Sequence, residues 1–187
     1  MEPNVSDPPR IPSVGRSEAT RGWLRTHYDR RMNEPGPACA QASVSISAPC
    51  GEVYGLITDL PTLSSLAAET TVMKWRKGDK AAPGAVFKGT NRNGIRRWTT
   101  VCTVTDAEPG STFAFDVSYL GIPVSHWRYE IAPADGGCHV TEQMWDHRPG
   151  WFVKPGGVAT GVMDRPTTNT EHIKLTLQRL KEKAEAR

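Results

Sequence analysis

The sequence predicts an α+β domain in which a curved, seven-stranded antiparallel sheet wraps around one long C-terminal helix, with two short helices after strand 1. Three observations predict it. Apolar and polar residues alternate with a period of two in a succession of short stretches. Turn signals of a few residues separate most of these stretches, as in an antiparallel meander. A strong helical period returns only in the tail, where "IKLTLQRLKEKAEAR" is rich in helix formers.

The elements follow in order. In "ASVSISA" Val44 and Ile46 alternate with Ser43, Ser45 and Ser47, which marks the first strand. "APCGEVYGLITDLPTLSSLA" puts Val53, Leu56, Ile57 and Leu60 at helical spacing. Pro49 suits a first helical turn and Pro61 breaks the run, so two short helices in tandem are expected. From Thr70 to Arg148 six strands are expected. "GDKAAPG" separates the first two, and Asn93-Gly94 forms a type I′ hairpin turn before "IRRWTTVCTVTDA". "EPG", "LGIP" and "ADGG" mark the remaining turns. In the tail Val162, Asn169, Ile173, Leu177 and Leu180 share a helical side, and Pro166 interrupts or starts part of it.

Length and composition bound the function. The 187 residues fit one core, typically about 100–200 residues, and leave room for polar extensions. Net charge is +3, with Lys and Arg interleaved among Asp and Glu, so no nucleic-acid binding is expected. No apolar run approaches the roughly 18 residues needed to cross a bilayer, and stable membrane insertion is not expected. "MEPNVSDPPRIP" has neither the basic nor the apolar region of a secretory signal, and the chain reads as cytoplasmic. Cys39, Cys50, Cys102 and Cys138 stand far apart without metal-ligand spacing, so reduced thiols and no metal are expected. No cofactor motif is present either.

Residues 1–40 read as a disordered N-terminal extension, because they are proline-rich and almost without apolar periodicity. Within it "SEATRGWLRTHYDRRM" is the one stretch suited to a short helix, with Trp23, Leu24, Tyr28 and Met32 on one side. It is either a docking element or a frayed helix on a tail.

Side-chain parity sorts the sheet into two faces. In "STFAFDVS" the apolar residues Phe113, Phe115 and Val117 alternate with Ala114, Asp116 and Ser118, so the first set faces inward. In "SHWRYEI" the inward set is Trp127, Tyr129 and Ile131, which sends His126, Arg128 and Glu130 outward. In "CHVTEQMWD" it is Cys138, Val140 and Met144, with Glu142 and Asp146 on the same side and His139 opposite. Trp98, Thr100 and Cys102 form the inner set of their strand, as do Phe87, Gly89 and Asn91 of theirs, with Met73 and Trp75 continuing that face.

A single helix cannot fill the hollow of so curved a sheet, so this face either lines a ligand cavity or closes into a packed core. Trp75, Phe87, Asn91, Trp98, Phe115, Trp127, Tyr129 and Met144 are the expected ligand-binding residues, an apolar wall with a few polar anchors. Glu142 is the expected catalytic residue, because an acid facing an apolar cavity needs a partner or a proton. Its structural reading, the preferred one, is an ion pair with an arginine of a neighbouring element or a strand end that twists into solvent. Asp146, nearer the strand end, reads as rim or salt bridge. Asn169 either caps the helix locally, the preferred reading, or reaches the cavity.

The layout, with "ISAPCGEVYGLITDLPTLSSL", "EPGSTFAF" and "WRYEIAPADGGCHVTE", resembles the START-like SRPBCC superfamily, including its polyketide cyclase/dehydrase and lipid transport group. The resemblance spans roughly residues 42–185 and is closest to a group in which "RNGIRRWTT…PVSHWRYEI…GG…VTE…WDHR" recurs as a block. It implies a helix-grip fold with a hydrophobic tunnel under the long helix, and makes residues 41–187 a START-like ligand-binding domain. Activities in the superfamily run from lipid carriage to aromatase/cyclase chemistry and protein binding, and fold transfers more safely than function. Binding of a small hydrophobic molecule, a lipid, polyketide or related aromatic or isoprenoid compound, is the preferred reading. A cofactor-free cyclase/dehydratase using Glu142, Tyr129 or Asn91 is the alternative, and a protein-interaction module is a third.

Overall fold

The structure, a computed structural model, describes residues 36–186. The short helix expected within residues 1–35 lies outside the described residues. The elements are β1 (Ala40–Ile46), α1 (Cys50–Thr58), α2 (Leu60–Leu66), β2 (Thr70–Lys77), β3 (Val86–Asn93), β4 (Arg96–Glu108), β5 (Thr112–Tyr119), β6 (Ile122–Ala134), β7 (Gly137–Asp146), α3 (Gly150–Thr160) and α4 (Arg165–Glu185). All strands form one antiparallel sheet in the order β1-β7-β6-β5-β4-β3-β2. The expected α+β, helix-grip architecture is the observed one.

Local chemistry accounts for the element ends. Pro49 is the N-cap of α1, and Asp59 closes α1 and caps α2 by accepting from the Thr62 amide at 3.0 Å. Pro61 therefore opens the second helix as well as ending the first. Asp164 likewise caps α4 by accepting from the Thr167 amide at 3.2 Å, so Pro166 starts that helix rather than interrupting it.

The turn between β3 and β4 differs from expectation. Asn93 pairs with Arg96, so the two loop residues are Gly94 and Ile95, one position later than the expected Asn93-Gly94. Gly94 has φ 59°, and glycine at the first central position is what a type II′ turn requires.

Register shifts interrupt the ladders within β2, between Val104 and Asp106 of β4, and between Val117 and Ser118 of β5. Such bulges bend strands and raise their twist, which suits a sheet that curls around a helix. The apolar side of α4, Ile173, Leu177 and Leu180, is buried in a single core cluster with Val53 and Ile57 of α1 and Phe113 and Val140 of the sheet. At its far end α4 holds β1: Lys181 Nζ donates to the Ser45 carbonyl at 2.8 Å, and Glu185 accepts from the Ser47 amide at 2.8 Å. Arg179 donates to the Leu66 and Ala67 carbonyls at 3.0 and 3.2 Å, fixing the end of α2. Among the described residues no helix is long and apolar enough to cross a membrane.

Candidate ligand cavity

Between the sheet and the helices the core does not close. A cavity of about 270 Å³ remains, walled by alternate residues of β3 to β7 and covered by α2, α3 and α4. Parity supplies the wall: Phe87, Gly89 and Asn91 from β3, Trp98, Thr100 and Cys102 from β4, then Phe115 and Val117 from β5. β6 adds Ser125, Trp127 and Tyr129, and β7 adds Glu142, Met144 and Asp146. Phe87 and Phe115 meet edge-on with centroids 5.2 Å apart.

Seven of the eight expected ligand-binding residues border the cavity, and so does Glu142. Trp75 does not. It packs edge-on against Phe87 with centroids 5.6 Å apart, so it buttresses a cavity residue instead of facing the space. Asn169 borders the cavity from α4, and the N-cap of that helix is Asp164. Arg128, expected on the exterior, does lie on the outer face but is 8% exposed, its guanidinium 5.8 Å from the centre of the Trp145 ring.

Polar groups along the wall are organised in three places. Thr70 donates to Asn91 Oδ1 at 2.8 Å, and Asn91 Nδ2 donates to Thr100 Oγ1 at 3.2 Å. This chain runs over Gly89, where a Cβ would come within 3.0 Å of Thr100 Oγ1, so glycine leaves it room. Nearby, Arg165 Nη1 lies 2.7 Å from Glu69 Oε2 and the guanidinium stands 5.6 Å from the Trp98 ring centre. Burial drives His172 below its ordinary pKa; the Glu69 charge opposes this and the Arg165 charge adds to it. At the end of β7, Arg148 binds Asp146 in a fork, with Nε 2.9 Å from Oδ1 and 3.1 Å from Oδ2. Burial pushes the Asp146 carboxyl up, but the hydrogen bonds and charge of Arg148 outweigh it and hold the group below the ordinary carboxylate range.

Glu142 is placed differently. It stands across from Tyr129 in the β6–β7 register, is 3% exposed, and its Oε1 accepts from the Tyr129 hydroxyl at 2.7 Å. Its Oε2 is buried with no hydrogen-bond partner among the described residues. The neighbouring arginine considered from sequence is thus not its partner. Burial pushes the Glu142 carboxyl up to about 8, only partly offset by the Tyr129 hydrogen bond. The phenol is also raised, by burial first and by Glu142 second. Both shifts favour the protonated, uncharged form of the pair.

Sequence reasoning missed one wall of the cavity. Phe152, Gly156, Ala159 and Thr160 border it from α3, and Phe152 stacks on Tyr119 with centroids 6.2 Å apart. Glycines and Pro155 hide this helix, since they oppose helical propensity. The usable signal was its end, Gly161 in the left-handed region at φ 74°. Among the described residues no cluster of His, Cys, Asp and Glu is placed to hold a metal ion.

The family described as polyketide cyclase / dehydrase and lipid transport matches residues 37–185. Among curated proteins no sequence matches the chain. Solved structures share the fold. A polyketide-cyclase-like protein of Corynebacterium glutamicum, Cgl2372, is 24% identical with a TM-score of 0.55, covering 82% of this chain and 94% of its own. The di-domain ARO/CYC StfQ from the steffimycin biosynthetic pathway is 12% identical with a TM-score of 0.63, covering 94% of this chain and 62% of its own. Ara h 8.0201 is 11% identical with a TM-score of 0.53, covering 75% of this chain and 95% of its own. At these identities the likeness concerns the fold.

Proposed function

Because the chain belongs to the polyketide cyclase / dehydrase and lipid transport family, we propose that it binds a small hydrophobic molecule in the cavity between sheet and helices. The observation that carries this reading is the cavity itself. About 270 Å³ of space left in an otherwise packed core lies close to the lower end of small-molecule sites, about 300–1,000 Å³. Its wall is the kind such sites have: aromatic bulk from Phe87, Phe115, Trp98 and Trp127, with a few fixed polar groups. A closed core would have gained by filling that space, since each lost methylene-sized contact weakens a packed interior.

Native mass spectrometry of the purified protein, with an organic extract analysed alongside, tests the reading. A bound small molecule that a lipophilic dye displaces is the expected result. An empty protein that also takes up no dye rules it out.

Glu142 favours a second reading, a cofactor-free cyclase or dehydratase in the manner suggested by the ARO/CYC neighbour. A carboxyl with its pKa raised to about 8 and a phenol on one oxygen has the proton-transfer range of a general acid/base. Tyr129 orients it, and the cavity would hold a flexible carbonyl chain folded for reaction. Turnover undiminished in Glu142→Gln would remove that residue from any such mechanism.

A further inference from the structure

The Glu142 oxygen without a partner carries information about what the cavity receives, on the premise that it binds a ligand as proposed above. Oε1 accepts the Tyr129 hydroxyl, so in the neutral acid the carboxyl proton belongs on Oε2. That atom is buried and meets no acceptor among the described residues. Buried polar groups in native proteins are nearly always paired, and one left over beside a cavity points to a partner from outside the chain.

The surroundings decide the partner's charge. Tyr129 faces Glu142 from β6, and β1 contributes the uncharged Ala42 opposite it. The α4 residues that border the cavity are Arg165, Asn169, His172, Ile173 and Thr176, of which Arg165 is paired with Glu69 and His172 is pushed toward its neutral form. Asp146, on the same face of β7, is paired with Arg148, and Arg97 of β4 borders the cavity close to the β3–β4 turn. Among the described residues no cation's charge acts on Glu142, whose shift comes from burial and the Tyr129 hydrogen bond, and an anionic head group placed there would be buried without one. A plain hydrocarbon would leave Oε2 as it is.

We propose that Oε2 of Glu142 donates a hydrogen bond to an uncharged oxygen acceptor, a ketone or ester carbonyl, so that the cavity selects carbonyl compounds over both anions and hydrocarbons of the same shape. Glu142 is then the residue that reads the ligand's chemistry, while Phe87, Phe115 and Trp127 read its shape. The selection holds while the carboxyl keeps its proton and is lost as it ionises, near pH 8.

The test uses the full chain and three probes: fluorenone, fluorene, which has the same ring skeleton without the carbonyl, and laurate. Quenching of tryptophan fluorescence reads binding, since Trp98 and Trp127 border the cavity. At about pH 6.5 fluorenone is expected to bind about 10-fold tighter than fluorene, with laurate the weakest. At about pH 9.5 the preference for fluorenone is expected to vanish. Glu142→Gln, whose amide still donates, keeps the preference and loses its pH dependence; Glu142→Leu binds the two tricyclic compounds equally. Equal binding by the wild-type protein, a preference surviving in Glu142→Leu, or laurate as the tightest probe overturns the assignment. If none of the three binds, the cavity reading falls with it, whereas equal binding of fluorenone and fluorene overturns this assignment alone.

Discussion

Asp146 and Glu142 stand on the same face of β7 and border the same cavity, yet one keeps its charge and the other loses it. Asp146 is gripped by the guanidinium of Arg148, which holds its carboxyl below the ordinary range against the effect of burial. Glu142 has a phenol where Asp146 has a cation, and a phenol does not compensate for lost water. The strand decides where a carboxyl points; the residue across or beside it decides its charge. Glu69 is also ion-paired, to Arg165 through Oε2. The cavity thus has ion-paired acids in two places and a neutral acid in a third.

The largest expected effect comes from titrating the neutral acid. Folding raises Glu142 from the ordinary 4.5 to about 8, so the folded state binds this proton more tightly than the unfolded chain does. Its stabilisation is full below about pH 4.5 and is lost as pH rises through about 8, by about 5 kcal/mol in all. Urea unfolding at about pH 5 and about pH 9 measures the loss. Glu142→Gln should remove this part of the pH dependence; an unchanged profile in that variant would break the contrast.

A smaller effect is expected from taking the cation away from Asp146. Arg148→Met should cost about 1.5 kcal/mol at neutral pH, the worth of hydrogen bonds to a charged group at a partly buried site. Asp146 contributes stability above the ordinary 3.8 and loses it as pH falls through its depressed folded value, so the variant should also lose less on acidification. Melting temperatures at about pH 7 and about pH 3 read both effects. The smallest concerns the polar chain at the other side of the cavity. Gly89→Ala brings a Cβ to 3.0 Å from Thr100 Oγ1, which should loosen the Asn91 link and lower stability by about 1 kcal/mol in a thermal melt.

Much of this contrast was written in the sequence, in unequal depth. The side on which Glu142 lies follows from a period of two with Val140 and Met144, because alternation in a strand has no other outcome. Its partner needs register, and the register was available: once the two-residue turn Asp135-Gly136 pairs Ala134 with Gly137, counting back along both strands puts Tyr129 opposite Glu142. Arg128 shows what parity omits. It assigns the outer face correctly, but a face is not solvent, and the neighbouring strand's Trp145 covers the guanidinium. Trp75 shows a related gap, since sharing a face with Phe87 does not decide which ring reaches the cavity. The α3 wall was hidden because Gly150, Pro155, Gly156 and Gly157 are tolerated there by surrounding structure instead of by propensity.

The placement of β1 bears on how the chain emerges during synthesis. Ser45 meets His139, 94 residues further on, and Ser47 is bonded by Glu185, 138 residues further on. At about 5–20 residues per second, β1 waits on the order of 5–20 s for β7, its one strand neighbour among the described residues, and longer for the helix that holds it. During that interval it is a lone strand with both edges unpaired, the condition in which wrong pairing starts. The serines that alternate with Val44 and Ile46 suit this wait, because a strand apolar on one side only is a poor nucleus for aggregation.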